Sequence, residues 1–240
     1  MDWSSDSFLN GRLTVCQERN GYRFSLDAAI LAFHAVPDQP AMRVLDLGTG
    51  CAIMPLIMAC RHPGLTFIGV EIQAELAALA RRNVVENGFT SRIAIIEGDF
   101  VQLQSQEIGA PVDMVITNPP YRKPGSGRVN PQNQKALARH EIAASLVGLV
   151  KSMRRFLTTG GCAWMVYPVE RLAELMAAMQ AYNMEPKHLR LIHSRAGSDA
   201  IRCIVKTVKA ARPGLTVGPP LIIHSNDGQY TEEVSALLRP

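Results

Sequence analysis

From residue 43 onward, short apolar runs alternate with longer stretches in which apolar residues recur every three or four positions. That alternation predicts a parallel sheet with crossover helices. The strand-like runs cover 43–47, 66–70, 93–97, 112–117 and 162–167, and the helical spacing covers 53–61, 74–87, 142–157 and 169–182. Gly88 and the Gly160-Gly161 pair read as the stops of two of these helices. Nearer the N-terminus, 13–16 and 22–25 flank Arg19-Asn20-Gly21, and Asn-Gly between two apolar stretches predicts a hairpin, followed by a helix over 26–35. Toward the C-terminus, 188–194 and 200–208 read as two strands joined by Arg195-Ala196-Gly197-Ser198. An antiparallel pair closing five parallel strands predicts a doubly wound α/β fold: a seven-stranded, mostly parallel sheet with an antiparallel last strand, flanked by helices. Residues 1–40 are expected to form a hairpin-and-helix appendage packed on a domain spanning 41–240.

With 240 residues and 47% hydrophobic content the chain can bury one full core, and two large domains do not fit. The opening MDWSSDSFLNGR has neither a basic nor an apolar leader region, and no apolar run reaches the ~18 residues of a membrane span, so the expectation is a soluble, cytoplasmic protein. Cys16, Cys51, Cys60, Cys162 and Cys203 form no C-x-x-C pair and read as reduced thiols, while the six histidines lack ligand spacing, so no metal is expected. Charge is divided unevenly. Residues 1–111 carry 8 Lys+Arg against 12 Asp+Glu and residues 112–240 carry 17 against 9, a net −4 and +8. The basic half could attract a polyanion, although charges spread over so many elements also suit ordinary solvated faces.

The first strand runs into a glycine turn, Asp46-Leu47-Gly48-Thr49-Gly50. Such a turn lets backbone approach a ligand closely. A pyrophosphate would avoid the carboxylate of Asp46, whereas the ammonium group of a ligand such as S-adenosylmethionine is matched by it. The second strand ends in Glu71, about 20 residues beyond the glycines, where a carboxylate can accept ribose hydroxyls. The third ends in Asp99-Phe100, candidates for the adenine amino group and ring. Three acids at the carboxyl ends of three successive strands fit the ligand-binding edge of an open α/β sheet.

The most specific signal follows the fourth strand: Asn118-Pro119-Pro120-Tyr121. Two prolines stiffen the loop and leave carbonyls that can only accept, and the Asn118 side chain adds another acceptor. An exocyclic NH2 presents two donors to such a pair, and Tyr121 offers a face for stacking a planar base.

The glycine turn and Asn118-Pro119-Pro120-Tyr121 together resemble the N-methyltransferases that modify adenine N6, cytosine N4 or protein glutamine. Gly11 to Val15, Gly21-Tyr22-Arg23-Phe24-Ser25-Leu26-Asp27, Ala138-Arg139-His140-Glu141 and Tyr230-Thr231 make the chain similar, over nearly its whole length, to the bacterial tRNA(Val) adenine-37 N6-methyltransferase family. The resemblance implies a Rossmann-like class I methyltransferase fold, S-adenosylmethionine as methyl donor and a tRNA substrate, with no obligate protein partner. It also implies that the Phe24 to Asp27 segment packs beside the cofactor pocket, which makes Asp27 a further cofactor-site candidate. Cys51-Ala52 departs from the pattern, where relatives carry a third small residue or glycine.

Between Tyr121 and Glu141 the chain is rich in glycine, amides and positive charge, and Arg122, Lys123 and Arg128 are candidates for phosphate contacts. His140 beside Glu141 reads as structural, the acid favoured near a helix start. Other readings keep the same chemistry on a protein glutamine, on DNA or on ribosomal RNA, or reduce the chain to an S-adenosylmethionine-binding module that only holds RNA. Glutamine-directed enzymes devote a large N-terminal domain to their partner, for which there is no room before Gly48, and duplex DNA demands base extrusion and a recognition domain.

Overall fold

The computed structural model describes residues 3–19, 23–119 and 146–238. A two-stranded antiparallel ribbon, β1 (Trp3–Phe8) and β2 (Leu13–Glu18), leads into α1 (Leu26–His34). The main sheet follows. Strands β3 (Arg43–Leu47), β4 (Thr66–Glu71), β5 (Ile93–Glu97), β6 (Val112–Thr117) and β7 (Leu157–Pro168) are parallel, and β9 (Ala200–Lys209) lies antiparallel between β7 and β8 (Met184–Arg195). The spatial order is β5-β4-β3-β6-β7-β9-β8. This is the expected seven-stranded sheet, extended among the described residues by two short strands, β10 (Thr216–Val217) and β11 (Leu221–His224), both parallel to β8 on its outer edge.

Helices α2 (Ile53–Arg61) and α3 (Ala74–Glu86) cover one face together with α1 and α6 (Glu232–Leu238), and α4 (Leu146–Phe156) and α5 (Leu172–Ala181) cover the other. Each face encloses its own hydrophobic cluster, with Val44 and Met114 on one side and Leu45, Leu47 and Val115 on the other. Burial on both faces explains why these strands read as continuous apolar runs rather than as alternating ones.

Two expectations are corrected. The ribbon does not use Arg19-Asn20-Gly21; its turn is Leu9 to Arg12, where Leu9, Asn10 and Gly11 all take positive φ, while 23–25 form no strand and 20–22 lie outside the described residues. Strand β1, WSSDSF, was invisible as a strand because it is mostly polar and only partly buried. The Gly160-Gly161 pair is not a helix stop either: α4 ends at Phe156 and the glycines lie within β7. There Val112 pairs with Leu157 and Met114 with Cys162, so four residues of β7 bulge opposite Asp113 alone. A Cβ on Gly161 would come within 3.0 Å of the Asp113 carbonyl oxygen.

Fully buried Asn83 fastens the ribbon to the core. Its Oδ1 accepts the Cys16 N–H at 2.8 Å, and its Nδ2 donates to the carbonyls of Cys16 at 3.1 Å and Cys51 at 3.0 Å. Helix α1 is tied to the far end of the sheet by Asp27 to Arg202 (3.2 Å) and by Arg190 Nη1 to His34 Nε2 (2.6 Å). Just beyond the helix, Asp38 pairs with Lys206 at 2.8 Å. His34 Nδ1 sits 2.8 Å from the Ile30 carbonyl, which can only accept, so Nδ1 carries the proton and Nε2 accepts from Arg190. Burial, with Arg190 alongside, keeps the His34 pKa below its usual range.

Replacing Asn83 with Ala strands three buried backbone groups, and we expect unfolding free energy to fall by about 3 kcal/mol or more. Urea titration checks this; a loss under about 1 kcal/mol would mean that water or a relaxed backbone satisfies those groups.

Candidate active site

The chain steps from β3 outward through β4 to β5, then returns to place β6 on the opposite side of β3. The crevice beyond the carboxyl ends of β3 and β6 is the topological switch point, where open α/β sheets bind ligands. Thr117, fully buried at the end of β6, donates from Oγ1 to the Leu47 carbonyl at 2.8 Å and so fixes the two strand ends against each other. Sequence reasoning had passed over Thr117, although a threonine directly before Asn-Pro was the available signal.

The glycine turn that leaves β3 has φ of +76° at Gly48, +57° at Gly50 and +66° at Ala52. It is held to β4 by hydrogen bonds from the Gly48 and Thr49 N–H groups to the Val70 carbonyl, both 2.9 Å, and from Gly50 N–H to Glu71 at 2.8 Å. A Cβ on Gly48 would meet nothing within 4 Å, so the space beside this turn is open, whereas one on Gly69 would strike Thr49 at 2.8 Å. Ala52, where the sequence departs from the family pattern, adopts the left-handed conformation at a cost of roughly 1–2 kcal/mol. Its neighbour Cys51 is buried, with its thiol pushed up to about 12 by loss of solvent.

Asp46 is 0% exposed. Its Oδ2 accepts from Thr49 Oγ1 at 2.7 Å, and its Oδ1 has no hydrogen-bond partner among the described residues. Burial pushes its pKa up to about 7, with the nearby Glu71 charge adding to the rise and the Thr49 bond opposing it. Glu71, 5% exposed, accepts from the backbone N–H of Gly50 and, at 3.0 Å, of Gln73. It therefore braces the glycine turn, a duty the sequence did not reveal.

Asp99 and Phe100 follow β5 and are half-buried. Asp99 accepts the Val101 N–H at 2.8 Å, and the Phe100 carbonyl is held by Arg155 at 2.7 Å and Ser152 at 3.2 Å. Asp27 Oδ2 accepts from Arg202 Nε at 3.2 Å, an ion pair that docks α1 on β9. The N-terminus of α1 nevertheless reaches the crevice, because Asn118 Nδ2 lies 3.4 Å from Ser25 Oγ. Ser25 is the N-cap of α1 yet makes no side-chain cap bond. Pro119 is buried beside Asn118. Pro120, Tyr121, Arg122, Lys123, Arg128, His140 and Glu141 lie outside the described residues. Among the described residues no cluster of His, Cys, Asp or Glu could hold a metal ion, and no helix is long and apolar enough to cross a membrane.

The model of the methyltransferase small domain family matches residues 24–181. The chain is 29% identical over 245 residues to the tRNA1(Val) (adenine(37)-N6)-methyltransferase of Porphyromonas gingivalis, covering 98% of this chain and 94% of the relative. To the enzyme of the same name from Aeromonas hydrophila it is 27% identical over 237 residues, covering 98% and 97%. Among solved structures, one described as a predicted O-methyltransferase from Agrobacterium tumefaciens superposes with a TM-score of 0.71 at 27% identity, over 88% of this chain and 94% of that one.

A buried carboxyl whose pKa rises on folding binds its proton more tightly in the native state than in the unfolded chain, so stability falls as pH climbs from about 4 to about 7. We expect Asp46→Asn to flatten this slope and to stabilise the ligand-free protein at pH 8, as read by urea midpoints across pH. A variant that keeps the wild-type slope would locate the titrating group elsewhere.

Proposed function

The chain belongs to the methyltransferase small domain family, and on that premise we propose that it transfers the methyl group of S-adenosylmethionine to the exocyclic N6 amine of an adenine in RNA, adenine 37 of a tRNA(Val). One observation carries the reading: at a single switch point, a buried carboxylate with an oxygen unpaired among the described residues, Asp46 Oδ1, neighbours the strand that ends in Asn118-Pro119. The names of relatives matched over nearly their full length support the adenine and the tRNA.

S-adenosylmethionine, when bound, supplies an electrophilic methyl on a sulfonium. The donor set of the crevice fits it. Asp46 Oδ1 is the acceptor for the ammonium, and the open space beside Gly48 admits a ligand against the backbone of Gly48, Thr49 and Gly50. Glu71, at the end of β4, is assigned to the ribose hydroxyls, and Asp99 and Phe100 to the adenine amino group and ring. Asp27 serves the pocket indirectly, by holding α1 in place through Arg202.

At the substrate end, Asn118 Oδ1 and the Pro119 carbonyl accept the two N–H bonds of the amine, which draws its lone pair out of conjugation. Ser25 lies beside this grip. With Nδ2 directed at Ser25 Oγ, the carbonyl oxygen of the Asn118 amide is the atom assigned to the substrate. So held, the amine nitrogen would be aimed at the electrophilic methyl that a bound S-adenosylmethionine would supply, and its surplus proton would pass to water, so no strong base is required of the chain. Pro120 stiffens the loop, Tyr121 stacks the base, and Arg122, Lys123 and Arg128 contact phosphates. A hydroxyl, the acceptor class named for the Agrobacterium neighbour, brings one proton and would leave one of the two acceptors without a donor.

The test is transfer of labelled methyl from S-adenosylmethionine to total tRNA lacking its native N6-methyladenine, wild type beside Asn118→Ala, followed by nucleoside analysis. We expect N6-methyladenosine from the wild type and a rate lower by about 100-fold or more from the variant. Transfer to a protein amide or a hydroxyl, with none to tRNA, overturns the reading.

A further inference from the structure

The register of the sheet raises a wall beside the crevice. Thr117 pairs with Met165, Met165 with Val205 and Val205 with Leu189, which defines the level at which β6 ends. Strand β8 continues six residues past that level to Arg195, which pairs with His224 at the end of β11. At about 3.3 Å per residue, the β8–β9 hairpin and β11 therefore project roughly 20 Å beyond the end of β6. Because β8 and β11 run in the same direction as β6, this projection rises from the same edge as the crevice, four strand spacings or roughly 19 Å to the side.

Near its top the wall carries an aromatic stack. The Tyr230 and His224 rings lie 5.4 Å apart with 25° between their planes. The backbone fixes them in place: His224 bridges Tyr230, and Thr231 donates from Oγ1 to the Ile222 carbonyl at 2.7 Å and from N–H to the Ile223 carbonyl at 3.0 Å. Packing thus accounts for Thr231. It does not account for Tyr230, a large ring left 45% exposed. Arg195, level with His224, is exposed, and its guanidinium forms no ion pair among the described residues. The nearby carboxylate of Asp227 is turned into its own loop by Ser225 Oγ and the Gln229 N–H.

We propose that Tyr230, backed by His224 and flanked by Arg195, is a docking platform for an unpaired nucleotide of the RNA substrate several places from the reacting adenine. An aromatic face takes any base by stacking, and a guanidinium beside it takes the adjoining phosphate. The wall offers fixed placement for both, since His224 and Arg195 end the paired strands β11 and β8 and Tyr230 is bridged to His224. The platform holds the RNA in register while the target base enters the crevice, so it acts on binding and not on the methyl-transfer step. This inference rests on the RNA reading above.

Steady-state methylation of tRNA, with direct tRNA binding by fluorescence anisotropy, tests it on the full-length protein. We expect Tyr230→Leu to raise KM for tRNA and the anisotropy Kd by about tenfold with kcat within about twofold, and Tyr230→Phe to retain wild-type values. Arg195→Gln should weaken tRNA binding and lower the slope of log Kd against log salt by about one. An unchanged KM in Tyr230→Leu, a Tyr230→Phe as impaired as the leucine variant, or an unaltered salt slope in Arg195→Gln overturns the platform, including the case in which the surface serves a protein. Should Tyr230→Leu not fold, Tyr230→Phe and Arg195→Gln still decide. Failure of the wild-type protein to methylate any tRNA sinks the functional reading and the platform together, whereas transfer by the wild type with unaltered variants sinks the platform alone.

Discussion

Asp46 is held out of water with one oxygen bonded to Thr49 and the other bonded to nothing among the described residues, and the surrounding structure is organised to keep it so. Burying a carboxylate is costly unless it is fully satisfied, which is why its pKa rises toward neutrality. The groups around Asp46 are tied down by contacts of their own. Glu71 pins the turn above it, Gly69 makes room for Thr49 beside it, and Thr117 locks the next strand to β3. A cation entering there would lower the cost, so the same defect that weakens the empty protein provides free energy for binding.

The N-terminal segment acts on this centre from outside the central sheet. Asn83 clamps the ribbon through three buried hydrogen bonds, and α1 is moored to β8 and β9 through His34 and Asp27. What the moorings deliver is the first turn of α1, with Ser25 against Asn118. An N-cap hydroxyl ordinarily accepts from its own helix. At α1 it does not, and the side chain is directed at the amide whose polarity the proposed chemistry depends on.

The central fold was legible because parallel strands buried on both faces announce themselves as apolar runs, and their carboxyl ends carried Asp46, Glu71, Asp99 and Asn118 in chain order. Less was legible where function or pairing rests on a single polar contact. Strand β1 has too few apolar side chains to signal itself, so the Asn-Gly at 20–21 displaced the one at 10–11 as the expected turn. The glycine pair at 160–161 resembles a helix stop unless the bulge opposite Asp113 is known. Bracing of the glycine turn by Glu71, the clamp of Asn83 and the ion pair of Asp27 with Arg202 all join residues distant in sequence, and no local pattern encodes such a pairing.

The two edges of the sheet treat hydrogen bonding in opposite ways. At the amino edge, arginines saturate loop carbonyls. Arg43 donates to Ile108, Ala110 and Pro111, and Arg92 to Ala59, His62 and Pro63, which rigidifies the connections there. At the carboxyl edge, Asp46 Oδ1 has no partner among the described residues, and the Pro119 carbonyl is followed by a second proline that brings no N–H. Such acceptors favour a ligand rich in donors. The ammonium and ribose hydroxyls of the proposed methyl donor and the exocyclic NH2 of the proposed substrate are such donors. The surplus of acceptors at one edge is thus a single physical reason why the methyl donor and an amine substrate would meet at the same place.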